Sequence, residues 1–327
     1  MQIKNISFDI EGDMKMEKIL VTGGCGYKGS ILVPKLIAKG YQVTVMDTQW
    51  FGNFFDSSRN LIIKKANVLD ITPADIKGMD AIIHLSSVAN DPCCDLNPKL
   101  SWEMNALATM KLADLAVRHG VEQFIYASSG SVYGIKEEDQ VTEDLELLPI
   151  SEYNKTKMVS ERILLSYKDD IAVQIIRPAT VSGLSPRMRL DLSVNMLAMQ
   201  ALMHGQITVF GGMQTRPNIH IDDITDIYIH MLENKKLTGI YNAGFENLSI
   251  LDIAKRVTDH IPAEITIIES NDPRSYRINS DKLLRTGFKP KKTINHAIQE
   301  ILHAFKNGIL KDEKHCYNLK WMQETVV

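Results

Sequence analysis

Tyr153 and Lys157 are the side chains whose types and spacing most directly indicate chemistry. They lie four residues apart at the start of a helical pattern that continues to Leu164, and on a helix this spacing places both on one face. An ammonium group near a phenol favours the phenolate and lowers the phenol's pKa from its usual value of about 10. A tyrosine tuned in this way can take a proton from an alcohol. Such pairs also occur on solvated helix faces, so the neighbouring motifs must decide between the two interpretations.

A glycine-rich turn precedes this pair in the chain. Gly23, Gly26 and Gly29 directly follow a predicted strand and open a helical pattern. Glycine permits the tight turn there and lets the backbone approach a pyrophosphate at the positive end of the helix. Asp47 ends the second predicted strand 18 residues after Gly29, where an acid accepts hydrogen bonds from the adenosine ribose diol. Because this carboxylate would repel a 2′-phosphate and no arginine follows it, the pattern predicts NAD rather than NADP.

A serine-rich loop, residues 127–134 (ASSGSVYG), follows the fifth predicted strand. Ligands of open α/β sheets bind at the carboxyl ends of the strands, where this loop and the glycine turn both lie. We therefore expect the loop, the glycine turn and Tyr153 to border one site.

Short β-branched runs alternate with helical patterns in the first half of the chain, which is typical of a parallel sheet. Runs that would be buried on both faces, such as Ile19–Val21 and Ala81–Ile83, are continuously apolar. The predicted fold class is α/β, with a Rossmann-type doubly wound parallel sheet and a smaller, mixed α/β substrate-binding lobe. The runs are Lys18–Thr22, Gln42–Met46, Leu61–Val68, Ala81–Leu85, Gln123–Ala127 and Ala172–Arg177.

Changes in the sequence pattern divide the chain into three parts. Residues 1–16 precede the periodic pattern and are predicted to be an N-terminal extension outside the fold. Residues 17–177 form the predicted NAD-binding Rossmann domain, and residues 178–327 form the predicted substrate-binding lobe, segments of which could return to the Rossmann sheet. In that lobe we predict helices at Asp191–His204, Asp222–Glu233, Ile250–His260 and Ile294–Lys306, and strands at Thr208–Phe210 and Gly239–Asn242.

Composition excludes several kinds of partner. The 327 residues contain 37 Lys and Arg against 40 Asp and Glu, a net charge of −3, so no global positive field would recruit nucleic acid or an anionic membrane. Asp9, Glu11 and Asp13 stand where a secretory signal needs an apolar stretch, and no run approaches the ~18 apolar residues of a membrane span. The four cysteines lack the C-x-x-C spacing of a zinc site. We expect a soluble, cytoplasmic protein with reduced thiols and no metal.

Together these motifs resemble the extended short-chain dehydrogenase/reductase family, in its NAD-dependent nucleotide-sugar epimerase/dehydratase branch. The likeness runs from Lys18 to about Pro290 and includes the Gly-x-x-Gly-x-x-Gly turn, the Ser-Ser-x-x-Val-Tyr-Gly loop and Tyr-x-x-x-Lys. The resemblance implies that Ser129 hydrogen-bonds the reacting oxygen of a sugar and that Tyr153 is the acid/base. It implies that Lys157 binds the nicotinamide ribose and tunes the tyrosine.

The resemblance also implies a cofactor site and a substrate site. Thr180 stands where the family's Arg-x-x-Asn-x-x-Gly segment has its asparagine, which weakens a UDP-galactose epimerase interpretation. Arg216 and Arg274 match arginines that grip a diphosphate, and guanidinium forks bind phosphate oxygens bidentately. The predicted cofactor-binding residues are Gly23, Gly26, Tyr27, Lys28, Asp47, Asn67, Val68, Leu85, Ser86, Ser87, Asn105, Tyr153 and Lys157. The predicted substrate-binding residues are Ser129, Thr180, Arg187, Asn195, Arg216 and Arg274.

Two departures from the family pattern affect the chemistry. Lys28 replaces a residue that is usually apolar. A cation there could reach the pyrophosphate, although an exposed lysine is the simpler interpretation. Gly130 and Ser131 replace the Asp-Glu pair that, in the family's 4,6-dehydratases, expels water across C5 and C6. Neither residue can act as the acid or base of that elimination. We therefore expect no dehydratase activity, and a reaction confined to oxidation and reduction.

The predicted function is NAD-dependent oxidation and reduction at C4 of a nucleotide-diphosphate sugar through a 4-keto species, most simply by a 4-epimerase. A 4-dehydrogenase that releases the 4-keto sugar is an alternative, because the two differ in cavity room and product release rather than in catalytic residues. A non-catalytic NAD-binding sensor or scaffold is an alternative of another class. The helices predicted at Lys99–His119 and Ser151–Ser166 resemble the family's dimer interface, so a homodimer is expected.

Overall fold

Seven parallel strands form the main sheet of the computed structural model, which describes residues 17–270 and 275–326. Arg274 and the N-terminal extension therefore lie outside the described residues. The strands pair in the order β3-β2-β1-β4-β5-β6-β10, so the strand order reverses beside β1. Their bounds are Lys18–Thr22 (β1), Gln42–Asp47 (β2), Leu61–Lys65 (β3), Ala81–His84 (β4), Gln123–Ala127 (β5), Ala172–Pro178 (β6) and Gly239–Ala243 (β10). The predicted Rossmann-type sheet is confirmed.

Continuous apolar runs form the central strands because helices cover the sheet on both faces. Alternate residues of β1 point to opposite faces, so Ile19 and Val21 join one buried cluster and Leu20 joins another. The helices are Gly29–Ala38 (α1), Pro73–Ile76 (α2), Asp91–Leu96 (α3), Pro98–Trp102 (α4), Ala108–Arg118 (α5), Glu152–Ser166 (α6), Ser193–His204 (α7), Ile221–Glu233 (α8), Ile250–Thr258 (α9), Asp281–Leu284 (α10), Ile294–Lys306 (α11) and Asn318–Thr325 (α12).

Short helical turns complete the pattern. One π-helical turn, Glu103–Leu107, joins α4 to α5. Three 3₁₀ turns lie at Val68–Asp70, Gly130–Tyr133 and Lys314–Cys316. Among the described residues, no helix is long and apolar enough to cross a bilayer.

The smaller lobe contains the remaining strands. They are Thr180–Ser182 (β7), Gln206–Phe210 (β8), Thr215–His220 (β9), Glu246–Ser249 (β11) and Glu264–Ile268 (β12). β9 lies between β7, which is parallel to it, and β11, which is antiparallel, while β8 and β12 form a separate parallel pair.

The two lobes are not separated by a single point in the chain. β10 lies beyond residue 177 but pairs with β6 at the edge of the main sheet, so the chain returns to that sheet once. The boundary at residue 177 itself stays a prediction.

Several elements were not predicted. Two of them, β9 and α12, were missed because their sequences contain many polar residues. β9 (TRPNIH) contains Pro217 and Asn218, which are uncommon in strands, yet both are buried and the Asn218 amide bonds to neighbouring carbonyls. α12 follows a charged segment and has mostly polar residues. The tertiary contacts of these elements compensate for their weak local patterns.

Candidate active site

One cavity of about 440 Å³ lies at the carboxyl edge of the main sheet, between the two lobes. This volume is within the usual range for small-molecule and cofactor sites. The loops that follow β1, β2, β4 and β5 border it, as expected for an open α/β sheet. Its walls bring together, among other residues, Gly23, Gly26, Tyr27, Lys28, Asp47, Val68, Leu85, Ser86, Ser87, Ser129, Tyr153, Lys157, Thr180, Arg187 and Arg216.

The glycine turn packs directly on the loop after β4. Gly23 has a φ of +70°, and a Cβ atom there would lie 2.5 Å from the backbone nitrogen of Ser86. A Cβ on Gly29, at the start of α1, would lie 2.2 Å from the carbonyl oxygen of Gly24. Only glycine fits at either position, so the turn brings backbone amides to the cavity wall as a pyrophosphate site requires.

Asp47 organises the loop beyond β2. Its two carboxylate oxygens accept hydrogen bonds from the backbone nitrogens of Cys25 (3.0 Å) and Gln49 (2.7 Å). Burial raises the pKa of this carboxyl, while the two backbone donors lower it. Asp47 therefore ties the glycine turn to the segment that carries Trp50 and Phe51, both of which line the cavity.

α6 positions the Tyr–Lys pair. Ser151 caps the helix, since its hydroxyl accepts a hydrogen bond from the Asn154 nitrogen. The Lys157 Nζ is buried, donates to the carbonyl oxygen of Ala127 (2.8 Å), and lies 5.9 Å from the centroid of the Tyr153 ring. The predicted common face of the helix is thus turned toward the cavity rather than toward solvent.

Ser129 completes this set from the loop after β5. Its hydroxyl pairs with that of Ser131 (2.7 Å), which in turn hydrogen-bonds the Asn154 side chain on α6. Ser129 lines the same cavity as Tyr153 and Lys157. Ser129, Tyr153 and Lys157 consequently border one space.

Burial dominates the protonation of the pair. Burial, together with the nearby Lys28 ammonium, lowers the pKa of Lys157 to about 7. Burial also raises the pKa of Tyr153 well above its usual range, with the Cys94 and Asp91 side chains adding to the increase. In the protein alone the phenol therefore holds its proton at neutral pH, and a positive charge beside it is needed to favour the phenolate.

Lys28 lies at the N-terminal end of α1 and reaches into the cavity wall. Its Nζ donates to the Tyr228 hydroxyl of α8 (3.3 Å). Burial lowers its pKa to about 8, and the charge of Arg189 contributes in the same direction. This amine is therefore mostly charged at pH 7 and loses its charge as the pH rises through about 8, whereas a nearby anion would keep it charged to higher pH.

Three predicted binding residues, Asn67, Asn105 and Asn195, are not among the residues that line the cavity. The Asn67 side chain accepts from the Leu69 nitrogen. Asn105 bonds to the backbone of Val88 and to the Thr156 hydroxyl, so it ties the loop after β4 to α6. Asn195 is fully buried, and its side chain likewise forms hydrogen bonds to other segments.

The Asn195 amide connects three segments. It accepts from the Gly183 nitrogen (3.0 Å) and donates to the Tyr27 hydroxyl (3.0 Å) and the Arg189 carbonyl (2.9 Å). Tyr27 itself donates to the Gly183 carbonyl (2.6 Å). Asn195 therefore fixes the glycine turn against the second lobe.

Further residues of the cavity come from loops and from the C-terminal helix. Arg189 forms two hydrogen bonds with Asp191 (2.9 and 3.0 Å), and Asp91 accepts from the Ser151 hydroxyl (2.5 Å). Asn318 and Met322 line the cavity from α12. The Arg-Met-Arg-Leu-Asp spacing was a local signal for the Arg189–Asp191 pair, but no motif marked α12.

A buried ion pair supports the catalytic edge. Arg177 at the end of β6 donates two hydrogen bonds to Glu161 of α6 (2.9 and 2.6 Å) and one to the Tyr133 hydroxyl (2.7 Å). Glu161 also accepts from the Ser128 hydroxyl (2.5 Å), next to Ser129. The network joins α6 to the serine-rich loop in the protein interior.

We expect Glu161→Ala to lower the free energy of unfolding by about 3–5 kcal/mol, because it leaves the Arg177 charge buried and unpaired. Urea denaturation measures this change. Lys155→Ala is the matched control on the same helix, since the pair between Lys155 and Glu152 is half-exposed and such pairs contribute about 0–1 kcal/mol. Equal losses in the two variants would contradict the structural role of the buried pair.

A doubly wound parallel sheet with a glycine turn against its ligand-binding edge defines a Rossmann-type dinucleotide-binding protein. The sequence model of the NAD dependent epimerase/dehydratase family matches residues 19–244, which is more than half of the chain. The protein belongs to that family, and its cofactor is NAD.

Proteins with sequences similar to this chain are named for different reactions. A UDP-glucose 4-epimerase of Lactobacillus helveticus is 28% identical over 84% of this chain and 92% of its own length. A UDP-glucuronic acid decarboxylase 1 of Arabidopsis thaliana is 27% identical over 92% of this chain and 72% of its own. Family membership therefore does not decide the reaction.

A solved structure named for a third reaction has a similar fold. The structure of DesIV, a dTDP-glucose 4,6-dehydratase from Streptomyces venezuelae with NAD bound, has a TM-score of 0.80 and 22% identity, covering 89% of this chain and 97% of that one. The predicted exclusion of a dehydratase consequently receives no support from the fold, and it rests on the side chains at the site.

Proposed function

We propose that this protein oxidises and then reduces C4 of a nucleotide-diphosphate sugar through a 4-keto sugar, as a nucleotide-sugar 4-epimerase. The observation that carries the proposal is the convergence of Ser129, Tyr153 and Lys157 on the wall of the cavity that contains the glycine turn. Relatives named for UDP-sugars support a UDP-sugar as the substrate class.

NAD supplies the group that accepts hydride from C4 and returns it. Tyr153 takes the proton of the C4 hydroxyl during oxidation and gives it back during reduction. Ser129 holds the same oxygen by a hydrogen bond, and the Lys157 ammonium favours the phenolate. Arg216 and Thr180 line the second-lobe side of the cavity. In this proposal Arg216 binds the substrate diphosphate, with Arg274 as its predicted companion.

The serine-rich loop favours epimerisation over elimination of water. Gly130 has no side chain, and Ser131 is engaged by hydrogen bonds to Ser129 and Asn154. Neither position offers a carboxyl group that could move protons at C5 and C6. We therefore rank a 4-epimerase above a 4,6-dehydratase for this chain.

The test is to incubate the purified protein with NAD and UDP-glucose or UDP-glucuronic acid, following products by NMR and reduced nicotinamide by absorbance. A new C4 epimer without net NADH would support the proposal. Stoichiometric NADH with a released ketone would replace it with a 4-dehydrogenase, and loss of water from the sugar would replace it with a dehydratase. No conversion of either sugar, or of a wider panel, would favour a non-catalytic NAD-binding protein.

Lys28→Met should raise the Kd for NAD about 10- to 100-fold at pH 7, because a charge-assisted hydrogen bond contributes about 1.5–3 kcal/mol. The pKa of Lys28 in the free protein is about 8, and a bound pyrophosphate would raise it, so the complex holds more protons than the free protein. Wild-type affinity should therefore fall as pH rises above about 8, and the variant should lose this dependence. Calorimetry at several pH values measures both effects.

Lys39→Met is the control for this prediction. Lys39 directly follows α1, but its ammonium pairs with Glu233 at an exposed position away from the cavity. An unchanged Kd in Lys28→Met, or an equal change in both variants, would remove Lys28 from the cofactor site.

We also propose a homodimer formed through α5 and α6. Leu107 and Met110 are 54% and 51% exposed at the start of α5, which packs against α6. Met110→Glu should convert a particle of twice 36.8 kDa into one of 36.8 kDa in light scattering. Met213→Glu is the control because Met213 is 80% exposed in the smaller lobe. A monomeric wild-type protein would refute the proposal.

A further inference from the structure

The C-terminal segment returns from the smaller lobe to the cofactor cavity. After α11 ends at Lys306, the Cys316 carbonyl accepts a hydrogen bond from the Leu190 nitrogen (2.8 Å). The Asn318 nitrogen, at the start of α12, then donates to the Asp191 carboxylate (3.2 Å). These contacts attach α12 to the loop that carries Arg187 and Arg189.

The other side of α12 is held by the segment that follows Asp47. The Trp321 indole nitrogen donates to the Trp50 carbonyl (2.6 Å). Met322 is 2% exposed and packs in the same buried cluster as Val68. Because Asp47 and Val68 are predicted cofactor residues, α12 lies along the adenosine end of the cavity.

Arg187 joins these two sides. Its guanidinium is buried, stacks on the Phe51 ring (3.9 Å to the centroid), and donates to the Asn318 side chain (2.5 Å) and the Met188 carbonyl (3.1 Å). Within the part of the chain that the structure describes, its buried Nε–H has no acceptor. A buried cation with an incomplete set of hydrogen bonds is costly unless a ligand adds to them.

The helix borders the cavity without filling it. Asn318 and Met322 line the same space of about 440 Å³ as the glycine turn and Tyr153. A helix that blocked the site would leave no such space beside Asp47.

We propose that α12 and Arg187 form the outer wall of the adenosine diphosphate half of the NAD site, and that this wall must open for the cofactor to enter or leave. Arg187 then contacts the cofactor and not the sugar. The inference depends on the proposed function only in that it places NAD in this cavity. A cofactor that leaves slowly returns hydride to the sugar that supplied it, as an epimerase requires.

Release of etheno-NAD from the loaded protein, chased with excess NAD in a stopped-flow fluorimeter, tests the wall without any sugar. Trp321→Phe replaces the indole by the smaller phenyl ring and removes its hydrogen bond to Trp50, so release should be about threefold to tenfold faster. Asn318→Ala removes the partner of Arg187 and should accelerate release at least as much. Gln323→Ala, at an exposed position of α12, should release at the wild-type rate.

Four outcomes are informative once melting curves show that the variants are folded. Faster release in Trp321→Phe and Asn318→Ala, but not in Gln323→Ala, would support it. Wild-type release rates in both wall variants would overturn it. Tighter binding in those variants, with faster association, would also overturn it, because α12 would then be an obstruction. A wild-type protein that binds no etheno-NAD would instead refute the placement of the cofactor.

Discussion

Tyr153→Phe should lower kcat for sugar conversion about 10²- to 10⁴-fold, the usual contribution of a positioned general acid/base. The variant keeps the ring that packs in the wall and loses only the hydroxyl that borders the space beside Ser129. NAD affinity and thermal stability should therefore change little. Initial rates by NMR, together with calorimetric titration of NAD, measure the two effects separately.

The control for this variant is Tyr167→Phe, at the C-terminal end of the same helix. Tyr167 packs against the buried cluster that contains Leu164 of the same helix, and it is not among the residues that line the cavity. Its loss of a hydroxyl should leave kcat at the wild-type value. Undiminished activity of Tyr153→Phe would defeat the catalytic assignment, and a parallel loss of NAD binding would indicate damage to the site.

Gly23→Ala should raise the Kd for NAD about 10- to 100-fold. The added methyl group would lie 2.5 Å from the Ser86 nitrogen, so the turn must move away from the loop after β4. Overpacking of this kind costs about 1–3 kcal/mol, and the displaced backbone amides no longer meet a pyrophosphate. Calorimetry or fluorescence titration measures the affinity, and urea denaturation measures the accompanying loss of stability.

Gly120→Ala separates the close contact from backbone strain. Gly120 has a φ of +72°, nearly that of Gly23, but a Cβ atom there would meet nothing within 4 Å. Both variants incur the left-handed strain of about 1–2 kcal/mol, whereas only Gly23→Ala should weaken NAD binding. Equal Kd values in the two variants would mean that the turn does not form the cofactor site.

Local patterns predicted the main sheet well because its strands are buried on both faces. Runs such as Ala81–Ile83 can be apolar throughout only in that setting, and the observed strand Ala81–His84 agrees within a residue. The glycine turn was also predicted from local sequence. The structure shows why glycine is needed there, because a Cβ atom on Gly23 or Gly29 would collide with backbone atoms. The Tyr153–Lys157 spacing correctly placed both side chains toward one cavity.

The roles of the buried asparagines could not be predicted in the same way. That Asn105 and Asn195 contact ligands stays a prediction, and in the structure their amides connect segments that are far apart in the chain. Sequence shows that an amide is present, whereas its partners depend on which loops converge. The placement of Arg187 beside Phe51 and Asn318 has the same origin.

By itself the sequence determined the parallel sheet, the glycine turn and the Tyr–Lys pair, because each depends on residues close together in the chain. Only the tertiary structure decided that α12, about 270 residues beyond the loop after β2, borders the same cavity through Trp321 and Asn318. A weak amphipathic helix has no local signal for its position. Its place follows from hydrogen bonds and buried contacts that exist only when both lobes have folded.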